Sequence, residues 1–258
     1  MSLKFVSFYG VVVLLTSLFF QFVPLPKMLS WQEMLLSKLL NQAPVLLCLG
    51  YLWVQRNRIK EANIFYLLTA FLLLNVFSEV YYYFVNEDYL LMINICHNSL
   101  IYLILAMLFK KQSPQVRGQI LNPKNISYAV LAGLFFIVGF SFSLLKVYQK
   151  HYAPNKLFFF VLLIAMVMTT TTVCVSFFVD KPFSRNWYKL VVGTIAMAVL
   201  DVYLYLSLFV FDAYSNLIYT IGKLIFSIGI LLIVERTMRK CLNKAPLIVL
   251  YKKVSDIG

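Results

Sequence analysis

Charge is scarce in this chain. Of its 258 residues only 13% are Asp, Glu, Lys or Arg, only ten are acidic, and 62% are hydrophobic, with a mean hydropathy of +0.83. Soluble globular domains carry about 25% charged residues, so the composition excludes an ordinary soluble domain. Cysteine is nearly as rare: Cys48, Cys96, Cys174 and Cys241 are scattered, with no CxxC pair. That argues against a disulfide framework or a zinc site and leaves small apolar packing as their role. Nine glycines form no phosphate-cradling loop, and neither HExxH nor GxSxG occurs. No metal and no cofactor are expected, and no internal repeat is visible.

What the chain does have is long apolar runs. A membrane-crossing helix needs about 20 apolar residues, and eight such runs can be read at 5–23, 36–54, 62–85, 89–109, 126–145, 157–179, 190–210 and 217–234. The fold expected is all-α: a polytopic bundle of eight transmembrane helices in one domain, 1–234, followed by a basic tail, 235–258. The formal charge of +13 is spread through the connections between runs and forms no single patch, so it does not imply a nucleic-acid partner. Eight runs put 17 of the 23 basic residues on one face, among them Arg56, Arg58, Lys110, Lys111, Lys189, Arg236 and Arg239. The other face has five, and Lys223 lies inside. By the positive-inside rule both termini are cytoplasmic, and a multi-pass protein of a bacterial cytoplasmic (inner) membrane is expected. The first run is too long for a secretory core and is read as a retained helix.

Several local features carry more than topology. Residues 27–37, KMLSWQEMLLS, space Met28, Trp31, Met34 and Leu35 as an amphipathic surface helix would, or simply connect two runs. The second run has Lys38 and Asn41 near its outer end, and Pro44 is placed to kink it. The third, AFLLLNVFSEVYYYFV, carries Glu79 on one face with Asn75, Tyr82 and Tyr83. The fourth places Asn94, His97, Asn98 and Tyr102 along a second stripe, and the short Asn86-Glu87-Asp88 link turns the two into an antiparallel hairpin. Gly133 and Gly139 in the fifth run suggest close packing, and Thr169 to Thr172 in the sixth suggest hydroxyls bonded back to their own helix. The basic tail suits the surface of an anionic leaflet.

The last two runs hold charges where a bilayer tolerates few: Asp201 in VVGTIAMAVLDVYLYLSLFVF and Lys223 in SNLIYTIGKLIFSIGILLIV. A charge at a helix centre costs about 3 kcal/mol on insertion scales, so such residues face a bundle interior or a wet cavity. At 1.5 Å per residue, Glu79, His97, Asp201 and Lys223 fall about 9, 12, 14 and 9 Å below the outer helix ends. Four ionisable groups from four helices in one layer suggest one site for acid-base work. Two carboxylates close together in low dielectric cannot both ionise cheaply, so one keeps its proton as an acid while the other serves as base. His97 can share either role, and Lys223 can hold a carboxylate ionised or meet a phosphate headgroup. The bland alternative is a structural Asp201–Lys223 pair with a satisfied interior histidine.

Several of these stretches resemble the YhhN family of eight-helix membrane proteins, which includes the lysoplasmalogenases. LDVYLYLSLF (200–209) resembles the family's helix bearing Ser-Asp, FLLLNVFSEVYYY (71–83) its helix bearing Gly-Asp, and INICHNSLIYLILAM (93–107) its helix with His followed by Tyr. SKLLNQAP (37–44) resembles a Lys-Pro pattern at the start of another helix. Where the family has Gly-Asp this chain has Ser78-Glu79, and Leu200 stands in place of the Ser before the second Asp. The resemblance implies hydrolysis of the vinyl ether of a lysophospholipid to a fatty aldehyde and a glycerophospho-headgroup. Catalysis would fall to Glu79, Asp201 and His97. Substrate would meet Lys223, Lys38, Asn75, Asn94 and Tyr102, with membrane lipids as the partners. A transporter or lipid-binding protein using the same charged layer is the alternative.

Overall fold

The computed structural model describes residues 3–22, 40–59, 61–78, 87–113, 122–151, 156–211 and 216–242. Among them it is helical, with no strand. Among the described residues, α-helices overlap each of the eight apolar runs: α1 (Leu3–Phe22), α2 (Ala43–Val54), α3 (Ala62–Phe77), α4 (Glu87–Gln112), α5 (Pro123–His151), α6 (Lys156–Ser176), α7 (Arg185–Leu206) and α8 (Asn216–Leu242). The stretch 27–37, the residues Lys38, Glu79, Tyr82 and Tyr83, and the tail beyond 242 lie outside the described residues. Helix α8 runs eight residues past Val234, so the first basic residues of the expected tail belong to its last two turns.

Helix boundaries follow local chemistry. Pro123 opens α5, where a missing N–H costs nothing, and the Asn122 side-chain oxygen accepts from the Lys124 N–H at 3.0 Å. Ser184 caps α7 by accepting from the Trp187 N–H at 3.2 Å; Phe183 just before it has φ 59°, the turn that swings the chain into the helix. In the second run helical geometry is interrupted at Gln42 (φ −94°, ψ 1°) and resumes at Ala43 with Pro44 in the first turn. The break expected at Pro44 therefore lies two residues ahead of it, because Pro44 has no N–H to bond back to the preceding turn and its ring crowds that turn's carbonyl.

Packing follows a ring. Helices α1, α2, α3, α4, α6, α7 and α8 each contact the next, α8 returns to α1 and α2, and α5 lies outside against α6 and α7. One apolar core joins α1, α2, α3 and α8 with the latter half of α4, through Leu52, Phe71, Leu105, Phe109 and Ile230. A second joins the first half of α4 to α5, α6 and α7, through Ile95, Phe136, Phe140, Leu162 and Ala198. The α7–α8 crossing is the tightest: a Cβ on Gly193 would lie 2.8 Å from the Gly229 carbonyl oxygen, and one on Gly229 would lie 2.7 Å from that of Gly193. Glycine is required at both. Tyr9 of α1 donates to the Ser227 carbonyl of α8 at 2.6 Å.

The outside is as apolar as the inside. Leu131, Leu134, Phe135, Val138, Phe142 and Leu145 of α5 are exposed, whereas Asn75, Gln112, Asp201 and Arg236 are buried. Water would favour the reverse, and lipid favours this arrangement. Leu91–Gln112, Pro123–Gln149, Lys156–Ser176 and Arg185–Phe211 are each long and apolar enough to cross a membrane. The chain is a helical membrane protein on these grounds.

Candidate active site

Helix α4 and helix α7 face each other across the ring, and polar side chains bridge them. Asp201, on the fifth turn of α7, is 7% exposed. Its Oδ2 accepts from the Tyr102 hydroxyl at 2.5 Å. Its Oδ1 accepts from the Asn98 side-chain N–H at 3.4 Å, a long contact, and the same nitrogen lies 3.5 Å from the Tyr205 hydroxyl. Asn98 and Tyr102 are four residues apart on α4, and Asp201 and Tyr205 four apart on α7, so each helix presents two groups from one face. A carboxylate taken out of water is tolerated when each oxygen meets a donor. Here both do.

The surroundings fix this geometry. The Thr172 hydroxyl of α6 has its single proton shared between the Tyr102 carbonyl at 3.0 Å and the Met168 carbonyl of its own helix at 2.8 Å. Tyr205 lies tilted against Phe140 with ring centroids 5.5 Å apart. The five residues after Leu206, Ser207–Phe211, wind as a π-helix, a form often found beside functional sites. Lys223 of α8 acts electrostatically on Asp201, and its ammonium lies 5.8 Å from the Phe226 ring centroid. The register follows from the helix crossing: Gly222 meets the Leu200 side chain, which sets Lys223 beside the Asp201 turn.

The structure brings together Asp201, Asn98, Tyr102 and Lys223 of the residues singled out in sequence. His97 is one residue before Asn98 and faces another neighbour, its Nε2 lying 2.7 Å from the Leu74 carbonyl oxygen of α3. Asn75 of α3 turns back on its own helix, donating to the Phe71 carbonyl at 2.7 Å, and Asn94 is half-buried one turn before Asn98 on α4. Glu79 and Lys38 lie outside the described residues. Asn98 was named in the polar stripe of the fourth run but given no role, and Tyr205 was not singled out in sequence. Both sit at i,i+4 from a residue that was chosen, Tyr102 and Asp201 respectively, and that spacing is the signal by which they are found.

Among the described residues no group of three His, Cys, Asp or Glu side chains is placed to hold a metal ion. The cysteines are free; Cys48 is fully buried in the first core and Cys174 donates to the Ala129 carbonyl at 3.4 Å. The chemistry on offer is that of a buried carboxyl, two phenols, an amide and an ammonium: proton transfer and charge stabilisation out of contact with bulk water. No protein-family model, no curated protein and no solved structure matches this chain.

Proposed function

We propose that the protein is a membrane-embedded lipid hydrolase, cleaving the vinyl ether of a lysophospholipid by acid-base catalysis at Asp201. The observation that supports this most is the buried Asp201 carboxyl with Tyr102 on one oxygen and Asn98 on the other. The bond to be broken lies at the junction of an alkenyl chain and a polar headgroup, and a carboxyl inside a helix bundle is one of few groups able to reach it. A proton delivered to the β-carbon of the vinyl ether gives an oxocarbenium ion, which a carboxylate stabilises. Water adds to that ion and releases a proton to a base. The hemiacetal then collapses to fatty aldehyde and the free hydroxyl of the glycerophospho-headgroup, and the proton count closes. Glu79 is the second carboxyl in this reading, His97 positions water, and Lys223 meets the phosphate.

The same proposal places eight spans in a bacterial cytoplasmic membrane with both termini inside, on the distribution of basic residues. It is tested by incubating detergent-purified protein with vinyl-ether and ester lysophospholipids. Fatty aldehyde from the vinyl ether alone, lost in Asp201→Asn and Glu79→Gln, is the expected outcome; no product from any substrate with folded protein would overturn it. A second reading, a transporter or lipid-binding protein using the charged layer, draws on the interruption of the second helix at Gln42, since broken helices recur at transporter sites.

A further inference from the structure

The ring of helices is built differently at its two ends. At the end where α4 finishes, charged side chains are drawn inward. Asp180, in the turn after α6, accepts from Arg236 Nε at 2.5 Å and from Nη2 at 2.6 Å. The Arg236 side chain is 0% exposed. Lys240 lies 3.8 Å from Asp180 and donates to the Gln112 carbonyl at the tip of α4, and the Gln112 side chain donates to the Thr237 hydroxyl at 3.3 Å. One residue along α8, Glu235 pairs with Lys189 of α7 at 2.5 Å and with Arg239 at 2.7 Å. These contacts tie α4, α7, α8 and the turn after α6 to one another.

Between this network and Asp201 lies an apolar layer. Leu105, Leu108 and Phe109 of α4, Met197 of α7, and Ile230 and Ile233 of α8 belong to one core and are each at most 1% exposed. Ten residues separate Tyr102 from Gln112, and twelve separate Lys223 from Glu235, so the barrier is about 15–18 Å thick at 1.5 Å per residue. Toward the other end the layer is mixed: Ile95 of α4 and Phe209 in the π-turn after α7 are buried there as well, but polar groups run among them. Asn98 and Tyr205 flank Asp201, and Asn94 continues the polar stripe one turn nearer the start of α4. Arg236 explains why the first end stays shut: parting α8 from Asp180 would leave a buried guanidinium without its counter-charge, a state far costlier than the pair.

We propose that the ion network locks this end permanently, so that the Asp201 site is served from one side only, past Asn94 and Asn98 at the end where α4 begins. Water and the polar part of an amphiphile enter and leave by the same route. This rests on the reading of Asp201 as the working centre, and it excludes carriage of a solute across the membrane.

Sidedness is measured without substrate, so its failure is distinguishable from failure of the hydrolase reading. Asn94→Cys and Asn98→Cys are treated with a membrane-impermeant thiol reagent in right-side-out and inside-out vesicles. Labelling is read residue by residue by mass spectrometry, so the native cysteines stay in place, and Lys110→Cys marks the locked end. The expected result is labelling of positions 94 and 98 at least tenfold faster from the side opposite to that which labels position 110. Adding Asp180→Asn, or the milder Lys240→Gln where the first does not fold, is expected to let position 98 react from both sides. Comparable labelling from both sides with the network intact would overturn the one-sided site. Unchanged one-sidedness after the network is cut in a folded variant would overturn its role as the lock.

Discussion

Two carboxylates with opposite settings show how the chain manages charge. Asp201 sits among phenols and an amide in the interior, and its partner at closest range is neutral: the Tyr102 hydroxyl at 2.5 Å. Under the hydrolase reading, Asp201→Asn is expected to lower the turnover number by about 10²–10⁴-fold, the usual range for a general acid or base. Tyr102→Phe leaves the carboxyl in place and removes one donor, and a loss of about tenfold is expected on the same scale. Steady-state kinetics of both variants check the ranking. Glu235 lies beyond the expected end of the last membrane run. Burial pushes its carboxyl up, but the hydrogen bond and charge of Lys189, with Arg239 adding to them, outweigh burial and hold it below the ordinary glutamate value. A carboxyl lowered on folding contributes stability above its unfolded pKa, about 4.3, and that contribution fades as pH falls through the lower folded value. Thermal unfolding followed between pH 7 and pH 3 is expected to show Glu235→Gln less stable than the parent at neutral pH, with the difference shrinking below about pH 4.3. A constant difference across that range would contradict it.

At the scale of helices, the α7–α8 pair carries most of what positions the site. The carbonyls of Gly193 and Gly229 fill the space that a methyl group would need on the opposing glycine, so Gly193→Ala or Gly229→Ala forces the two backbones apart. Overpacking of this kind costs about 1–3 kcal/mol. Gly10→Ala and Gly50→Ala, on α1 and α2, meet nothing within 4 Å and are expected to be neutral or slightly stabilising, because alanine is the better helix former. Thermal stability of the four variants distinguishes crossing glycines from free ones. The eight helices were legible from the sequence because each is an apolar run bounded by Pro, Asn, Ser or charge, and those signals are local. The crossing was not legible. Gly133 and Gly139 stood out in an apolar run, 126–145, with no charge, whereas Gly193 and Gly229 matter only because of which faces of α7 and α8 meet. The same limit explains the site: Asp201 and Lys223 were conspicuous as charges in apolar surroundings and Asn98 as one of a polar stripe, while Tyr205 is ordinary until α4 and α7 are placed opposite each other. His97, adjacent in sequence to Asn98, is turned about 100° around the helix and meets α3 instead.

At the scale of the whole molecule, the described helices form a ring in which an apolar layer separates the polar cluster around Asp201 from paired charges at one end, while asparagines continue from that cluster toward the other. Removing one member of the closure has a predictable cost: Asp180→Asn leaves Arg236 buried without its partner, and such changes destabilise by about 3–5 kcal/mol. Chemical or thermal denaturation of that variant checks the value, and replacement by a stable, folded protein with unchanged midpoint would contradict the burial of Arg236. The basic residues counted as topology markers in sequence turn out to have two uses. Lys110 and Lys111 are exposed at the end of α4, as a marker should be, while Arg236 and Lys189 are drawn into the closure. Net charge per connection was readable from sequence; which of those charges find partners is a property of the folded ring. The chemistry assigned to Asp201 is tested most directly by the hydrogen it adds. Turnover of a vinyl-ether lysophospholipid in D₂O, with the aldehyde trapped at once, is expected to give a product carrying a single deuterium on the carbon next to the carbonyl, formed about 10²–10⁴-fold more slowly with Asp201→Asn. Aldehyde without that deuterium, or release undiminished in the variant, would contradict proton delivery by this carboxyl.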